Sequence, residues 1–292
     1  MSYDILARRL PHRDALLDRA FLLGLRLLTR RMRYFRDGVD SPPFTAHLRA
    51  VEVGWPRVEG VGTHELAVET LAGPLRAAVS VRAWHGTDAP TLVWHHGGGE
   101  YPYDNIFSGV FTDPPATGVN LVLVRAPGHD SRMGVQRVGA ALQSYLATLA
   151  VAVAVTEHVL TSVNGRTVVA GYSLGGFVTN RHHVHHDSAD AYVPLMAGTA
   201  HGEIFLTSVP AAPVATNRPG HLRRRLNFTT TWRDRNHDHV HPVLGRHDQL
   251  NRLAVQRASY PGVDPTVWPV GHLRGIRAHD RIRQCLNRHL RP

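Results

Sequence analysis

Two glycine-rich turns carry the residues whose types and spacing best suit chemistry. Gly171-Tyr172-Ser173-Leu174-Gly175-Gly176 follows an apolar run at 167–170 and precedes a helical pattern, which places G-x-S-x-G between a strand and a helix. In that context the small residues two before and two after the serine let strand and helix approach, and the Ser173 hydroxyl is pushed into the open beside the Leu174 N–H. Upstream, the run at 91–94 ends in His95-His96-Gly97-Gly98-Gly99-Glu100. Three successive glycines leave backbone N–H groups uncovered, the kind of donor array that a developing oxyanion needs. Glu100 is an awkward neighbour, because a carboxylate repels such an anion. It either points away or joins Tyr172 as a candidate substrate-binding residue. A P-loop is excluded, since no G-K-[ST] follows and the chain has no lysine, and no G-x-G-x-x-G fingerprint sits at a strand end.

Taken together, the serine turn and His96-Gly97-Gly98-Gly99 resemble the α/β-hydrolase fold family, whose esterases and lipases carry an HGGG motif. The resemblance covers residues 60–290. A third segment, Arg125-Ala126-Pro127-Gly128-His129-Asp130-Ser131, is similar to the family's D-x-P-G-x-G, with Arg125 in place of the Asp and Asp130 in place of the last Gly. A serine hydroxyl attacks only when a base takes its proton and a carboxylate orients that base. The family's chain order of Ser, acid, His implies both. Gly245-Arg246-His247-Asp248 is similar to its G-x-x-D and Gly271-His272 to its glycine-histidine, each at the end of an apolar run. The resemblance thus implies Ser173, Asp248 and His272 as catalytic residues and the N–H groups of Gly98, Gly99 and Leu174 as oxyanion donors. His279 and His289 lie inside the final helical pattern, His247 precedes Asp248, and Asp234 and Asp238 come before their strand, so none is the favoured partner.

The implied activity is hydrolysis of a carboxylic ester or related acyl bond in a small-molecule substrate, with no metal or organic cofactor required. An acyltransferase, amidase or peptidase would use the same relay, and a silent member of the fold would use the pocket only to bind. His182, His185 and His186 on one helix face, or His237, His239 and His241 on one strand face, have donors suited to Zn²⁺; solvated or capped histidines are the simpler reading.

The elements that must position these residues follow from periodicity. Leu66 to Ala83 alternates across Ala72-Gly73-Pro74 and reads as an antiparallel edge hairpin. Near-continuous apolar runs at 91–94, 120–124, 167–170, 191–195, 240–244 and 266–270 suit strands buried on both faces. Helical patterns at 138–160, 174–186, 249–258 and 274–290 alternate with them. The expected fold is α/β, a mostly parallel twisted sheet of about eight strands flanked by helices. Residues 1–59 read as an N-terminal helical extension packed on the core and 60–292 as the hydrolase domain. A lid-like insertion at 200–236 is marked by Pro210, Pro213, Pro219 and Arg223-Arg224-Arg225.

Composition sets the bounds. Among 292 residues there is one cysteine, Cys285, so an intrachain disulfide and a multi-cysteine metal site are impossible. The formal net charge is +10, carried on the basic side entirely by arginine. A basic surface attracts nucleic acid or anionic lipid, but arginine in place of lysine also follows from a GC-rich genome, and no nucleic-acid partner is expected. Residues 13–36 read as an amphipathic helix with Asp14 as its cap, Leu16, Leu17, Leu23 and Leu27 recurring beside Arg19 and Arg26. That helix packs on the domain or makes a weak membrane-surface contact. It is too charged for a signal peptide or a membrane span, and the expected location is cytoplasmic.

Overall fold

The computed structural model describes residues 12–28, 33–54, 58–112 and 118–291. Eight strands appear among them: β1 Gly62–Val68, β2 Leu75–Ala83, β3 Thr91–His95, β4 Asn120–Arg125, β5 Thr167–Tyr172, β6 Ala191–Leu195, β7 Val243–Gly245 and β8 Thr266–Trp268. They form one sheet in the order β1-β2-β4-β3-β5-β6-β7-β8. The pairs β1–β2 and β2–β4 are antiparallel and all the others parallel. The expected α/β sheet with an antiparallel hairpin at its edge is therefore what the chain builds.

The helices in chain order are α1 Arg13–Leu28, α2 Phe44–Arg49, α3 Asn105–Val110, α4 Gly134–Val138, α5 Leu142–Leu160, α6 Leu174–His185, α7 Gly202–Thr207, α8 Pro213–Thr216, α9 Pro219–Leu226, α10 Thr229–Arg233, α11 Leu253–Ala258, α12 His272–Ile276 and α13 His279–Leu290. Every residue of β3, β4, β5 and β6 is buried, as their unbroken apolar runs require. Alternation along β3 divides the core. Leu92 and Trp94 face α3 and α13 through Ile106, Phe107, Ile282 and Leu286, while Val93 faces Val151, Val155 and Val159 of α5. By length and composition α5 could cross a membrane, but 72% of it is buried and it serves as a core helix.

Arg125, where the family motif has an acid, is explained by sheet register. Glu65 and Arg125 both pair with Ala78 of β2, one from each side. The methyl side chain between them lets the guanidinium donate through both terminal nitrogens to the Glu65 carboxylate, at 2.8 and 2.5 Å.

Several elements differ from their sequence-based expectation. The helix expected at 274–290 is broken into α12 and α13, and the one expected at 249–258 starts only at Leu253, because Asp248 Oδ1 accepts from the N–H groups of Leu250 and Asn251 and makes a turn there. At the amino end α1 stops at Leu28, and Tyr34 makes a β-bridge to Ala211; residues 29–32 lie outside those described. Asp14 is not a cap but a buried residue within α1. Moreover, α1 turns Asp14, Ala15, Asp18 and Leu22 inward and leaves Leu16, Leu17, Leu23 and Leu27 exposed. The insertion between β6 and β7 holds α7, α8, α9 and α10.

Candidate active site

Ser173 stands between β5 and α6 with φ 55°, a left-handed backbone that few non-glycine residues adopt. Its N–H donates to the Leu195 carbonyl at 2.8 Å, which holds the turn against β6. The flanking glycines are there for space. A Cβ on Gly171 would come within 2.5 Å of the Gly175 carbonyl carbon, and one on Gly175 within 2.2 Å of the His95 carbonyl oxygen.

Asp248 follows β7 and His272 opens α12 after β8, so all three residues stand at the carboxyl ends of the parallel strands β5, β7 and β8, where an open α/β sheet offers its crevice. They meet. Ser173 Oγ lies 3.0 Å from His272 Nε2, and His272 Nδ1 lies 2.7 Å from Asp248 Oδ2. Asp248 is 2% exposed and His272 4%, so the carboxylate and imidazole interact out of bulk water. Burial alone would lower the His272 pKa. The charge of Asp248, its hydrogen bond and the charge of Asp18 more than offset that, and the pKa lies above the ordinary histidine value.

Asp18 was not anticipated as part of the site. From α1 its carboxylate accepts the N–H groups of His272 (2.8 Å), Leu273 (3.0 Å) and Gln249 (3.0 Å), while Asp14 one turn earlier accepts that of Gly271 at 2.9 Å. One buried carboxylate thus clasps both the start of α12, which carries His272, and the turn beside Asp248. Burial raises the pKa of Asp18 against the lowering effect of those three N–H donors. The only sequence signal was the four-residue spacing of two acids on one face of an amphipathic helix whose other charges are arginines.

The glycine loop after β3 is fixed by two histidines. His96 Nδ1–H donates to the Gly97 carbonyl at 2.9 Å and its Nε2 accepts from the Ala126 N–H at 3.0 Å. Burial first, and the nearby His129 second, hold its pKa well below the usual range, so it is neutral. His129 Nε2 accepts the Gly99 N–H at 3.3 Å. Of the three nominated donors Gly99 is therefore engaged, whereas Gly98 and Leu174 show no acceptor for their N–H groups among the described residues. A Cβ on Gly98 would lie 3.4 Å from Leu174 Cβ, so these two segments sit side by side. Glu100 turns back on its own loop, accepting from Gly97 at 2.8 Å and Ile106 at 2.7 Å, with burial raising its pKa to about 7. The Tyr172 hydroxyl donates to the His272 carbonyl at 2.6 Å.

A cavity of about 510 Å³ opens above Ser173. Tyr34, Tyr145, Phe177, His201 and Phe205 line it, and α1 contributes Phe21. The other candidate histidines stay away from Ser173: His247 stacks on His12, His289 on His241, and His279 lies against Gly109. The helical trio splits, with His182 and His186 staying stacked beside Glu157 and His185 turning away. His182 pairs with Glu157 and Tyr192, whereas the ring of His185 rests against Phe44.

Comparison with solved structures matches this architecture. Acylaminoacyl peptidase from Pyrococcus horikoshii superposes with a TM-score of 0.52 at 14% identity, over 80% of this chain but 42% of that one. Est1E from Butyrivibrio proteoclasticus gives 0.52 at 14% identity over 74% and 95% of the two chains. TT1662 from Thermus thermophilus gives 0.53 at 17% identity over 80% and 100%. The chain has the α/β-hydrolase fold. No protein-family model matches the sequence, and no curated protein matches it by sequence. Within the α/β-hydrolase fold, the hydrogen-bonded series Asp248–His272–Ser173 occupies the carboxyl edge of the sheet beneath the helical insertion, whose His201 and Phe205 wall the cavity.

Proposed function

We propose that this protein is a serine hydrolase that cleaves a carboxylic ester with an apolar or aromatic acyl group. The observation that carries the reading is the continuous hydrogen-bonded series from Asp248 through His272 to Ser173 at the floor of an aromatic-lined cavity. Ser173 Oγ attacks the ester carbonyl while His272 Nε2 takes its proton; Asp248 holds Nδ1–H and favours the imidazolium that forms. The N–H groups of Gly98 and Leu174 receive the oxyanion, and loss of one such donor costs roughly 3–4 kcal/mol of barrier. Collapse expels the alcohol, protonated from Nε2, and leaves an acyl group on Oγ. Water then attacks that acyl carbon, giving its proton to His272, and the acid departs. On this reading residues 200–236 act as a lid that sets acyl size.

The test is a fluorophosphonate label together with a panel of p-nitrophenyl esters of graded acyl length. Wild type is expected to be labelled at Ser173 and to turn over the panel, and Ser173→Ala to lose both, with turnover falling by roughly 10⁶ as in other relay enzymes. A folded wild type that takes no label and cleaves no ester would overturn the proposal in favour of a binding protein.

A further inference from the structure

At the far end of α6, about 15 Å from Ser173 at 1.5 Å per residue, a second cluster of side chains converges that the hydrolytic reading does not use. His183 sits in the last turn of α6, and the chain leaves that helix through Asp187, whose φ of 57° swings its carboxylate back over the helix end. Asp187 Oδ1 lies 2.8 Å from His183 Nδ1 and 2.8 Å from His239 Nε2. His239 comes from the strip of chain between α10 and β7. That strip is pinned to β6, because the Tyr192 N–H donates to the His239 carbonyl at 2.9 Å and the His241 N–H to the Tyr192 carbonyl at 2.8 Å. The three donor atoms all lie within 4.8 Å of one another. The cluster has a closed side and an open one, since the His183 side chain is 0% exposed while those of Asp187 and His239 are 25% and 27% exposed.

We propose that His183 Nδ1, Asp187 Oδ1 and His239 Nε2 form a zinc site, with water as fourth ligand on the open side, that ties the end of α6 to the strip returning from the helical insertion to β7. Two imidazoles and one carboxylate suit Zn²⁺ and its transition-metal neighbours, whereas Ca²⁺ and Mg²⁺ call for oxygen donors throughout. Tetrahedral zinc with bonds near 2.0–2.1 Å sets its ligands roughly 3.3 Å apart, so each 2.8 Å contact opens by about 0.5 Å to admit the ion. Protons balance without net release. Each ligand imidazole moves its proton to the other ring nitrogen, His237 shifts its own proton from Nδ1 to Nε2, and His183 Nε2–H then donates to His237 Nδ1, already 2.9 Å away. That is the outer hydrogen bond a metal-bound histidine needs. His237 in turn is held by stacking on Trp232, at 4.1 Å and 13°.

The experiment uses the full chain stripped with chelator and dialysed, then titrated with Zn²⁺ by calorimetry, with Co²⁺ absorption as a second readout of tetrahedral ligation. Wild type is expected to hold one tight equivalent and to gain thermal stability on zinc addition. His239→Ala and Asp187→Asn should each weaken that site by at least about 100-fold, since even outer partners of a metal ligand are worth 10–100-fold, and should abolish the zinc-dependent rise in Tm. Asparagine tolerates the left-handed backbone at 187 and so preserves the fold there. His241→Ala, a neighbouring imidazole outside the trio, should bind as wild type does. Only weak binding of several equivalents in wild type would overturn the site, and so would undiminished tight binding in both variants. Because metal content is read directly, these outcomes are independent of whether any ester is cleaved.

Discussion

The Tyr172 hydroxyl donates to the backbone carbonyl of His272 at 2.6 Å, so the residue that immediately precedes Ser173 grips the residue whose ring faces the serine oxygen. The contact needs room: a Cβ on Gly275, one turn along α12, would fall 2.4 Å from that hydroxyl oxygen. A side chain foreseen as a substrate contact therefore uses its polar end to set the spacing between Ser173 and His272. Tyr172→Phe removes one buried hydrogen bond and keeps the ring. A loss of about 1 kcal/mol in stability is expected, with kcat reduced by roughly threefold to tenfold and KM little changed. Urea denaturation and ester kinetics on the variant check both; an unchanged kcat would show that the bond does not position His272.

The serine turn predicts a contrast between two glycines. A Cβ on Gly175 meets the His95 carbonyl oxygen at 2.2 Å, backbone against backbone, with nothing free to move aside. A Cβ on Gly98 meets only the Leu174 side chain, at 3.4 Å. Gly175→Ala should lose about 3 kcal/mol or more and express poorly. Gly98→Ala should stay folded, and its cost should show in turnover, because the new methyl stands beside the N–H proposed to receive the oxyanion. Thermal melts followed by ester kinetics separate the two.

Much of this site was legible because it is local. G-x-S-x-G dictates a strained strand-to-helix turn within six residues, and apolar runs such as 167–170 can be satisfied only by a strand covered on both faces. Asp248 and His272 were legible through the family resemblance, as Gly245-Arg246-His247-Asp248 and Gly271-His272 match its G-x-x-D and glycine-histidine at the ends of apolar runs. What escaped the sequence depends on partners far along the chain. Asp18 and His272 are 254 residues apart, and no periodicity in α1 tells which of its faces will find backbone donors to accept. The leucines of α1 repeat at helical spacing, yet the buried face takes Asp14 and Asp18 beside Ala15 and Leu22 and leaves Leu16, Leu17, Leu23 and Leu27 outside, because α12 and the Asp248 turn present N–H groups that only an acceptor can satisfy. The pairing of Arg125 with Glu65 was likewise hidden until the register placed Ala78 between them.

The pH dependence has opposite signs for activity and for stability. In the proposed reaction His272 serves as base only when neutral, and its pKa is raised above the ordinary 6.5 once the Asp248 and Asp18 charges outweigh burial. Turnover should therefore rise with pH through a midpoint above 6.5. The stabilising contribution of protonated His272 runs the other way: it is fully present below the unfolded value and is lost as pH climbs through the folded one. A kcat/KM profile with its acid limb centred clearly below 6.5 would contradict the raised pKa.

Glu100 titrates in the same region for a different reason. Burial raises it to about 7 despite the N–H donors of Ile106 and Gly97. Because the folded chain holds this proton more tightly than the unfolded one, its contribution to stability is intact below about 4.5 and declines as pH rises toward 7. Glu100→Gln cannot ionise, so the difference in Tm between variant and wild type should change across pH 4.5–7 and level off above it. A constant difference would place the carboxyl at an ordinary pKa.

Asp18 gives the sharpest test of how α1 takes part in the site. Asp18→Asn is nearly isosteric but removes a negative charge that raises the His272 pKa, and it leaves only one side-chain oxygen for the N–H groups of His272, Leu273 and Gln249. The first effect moves the acid limb of kcat/KM to lower pH. The second costs roughly 1–3 kcal/mol for each buried N–H left without an acceptor. A purely structural acid would produce the stability loss alone, so the profile is the deciding readout. Asp14→Asn is the matched control: it sits one turn away on the same face and binds the Gly271 N–H, yet it is not among the charges that shift His272. If both variants lose stability and only Asp18→Asn moves the profile, α1 tunes the base electrostatically. If neither moves it, α1 acts as scaffold and the raised pKa of His272 rests on Asp248.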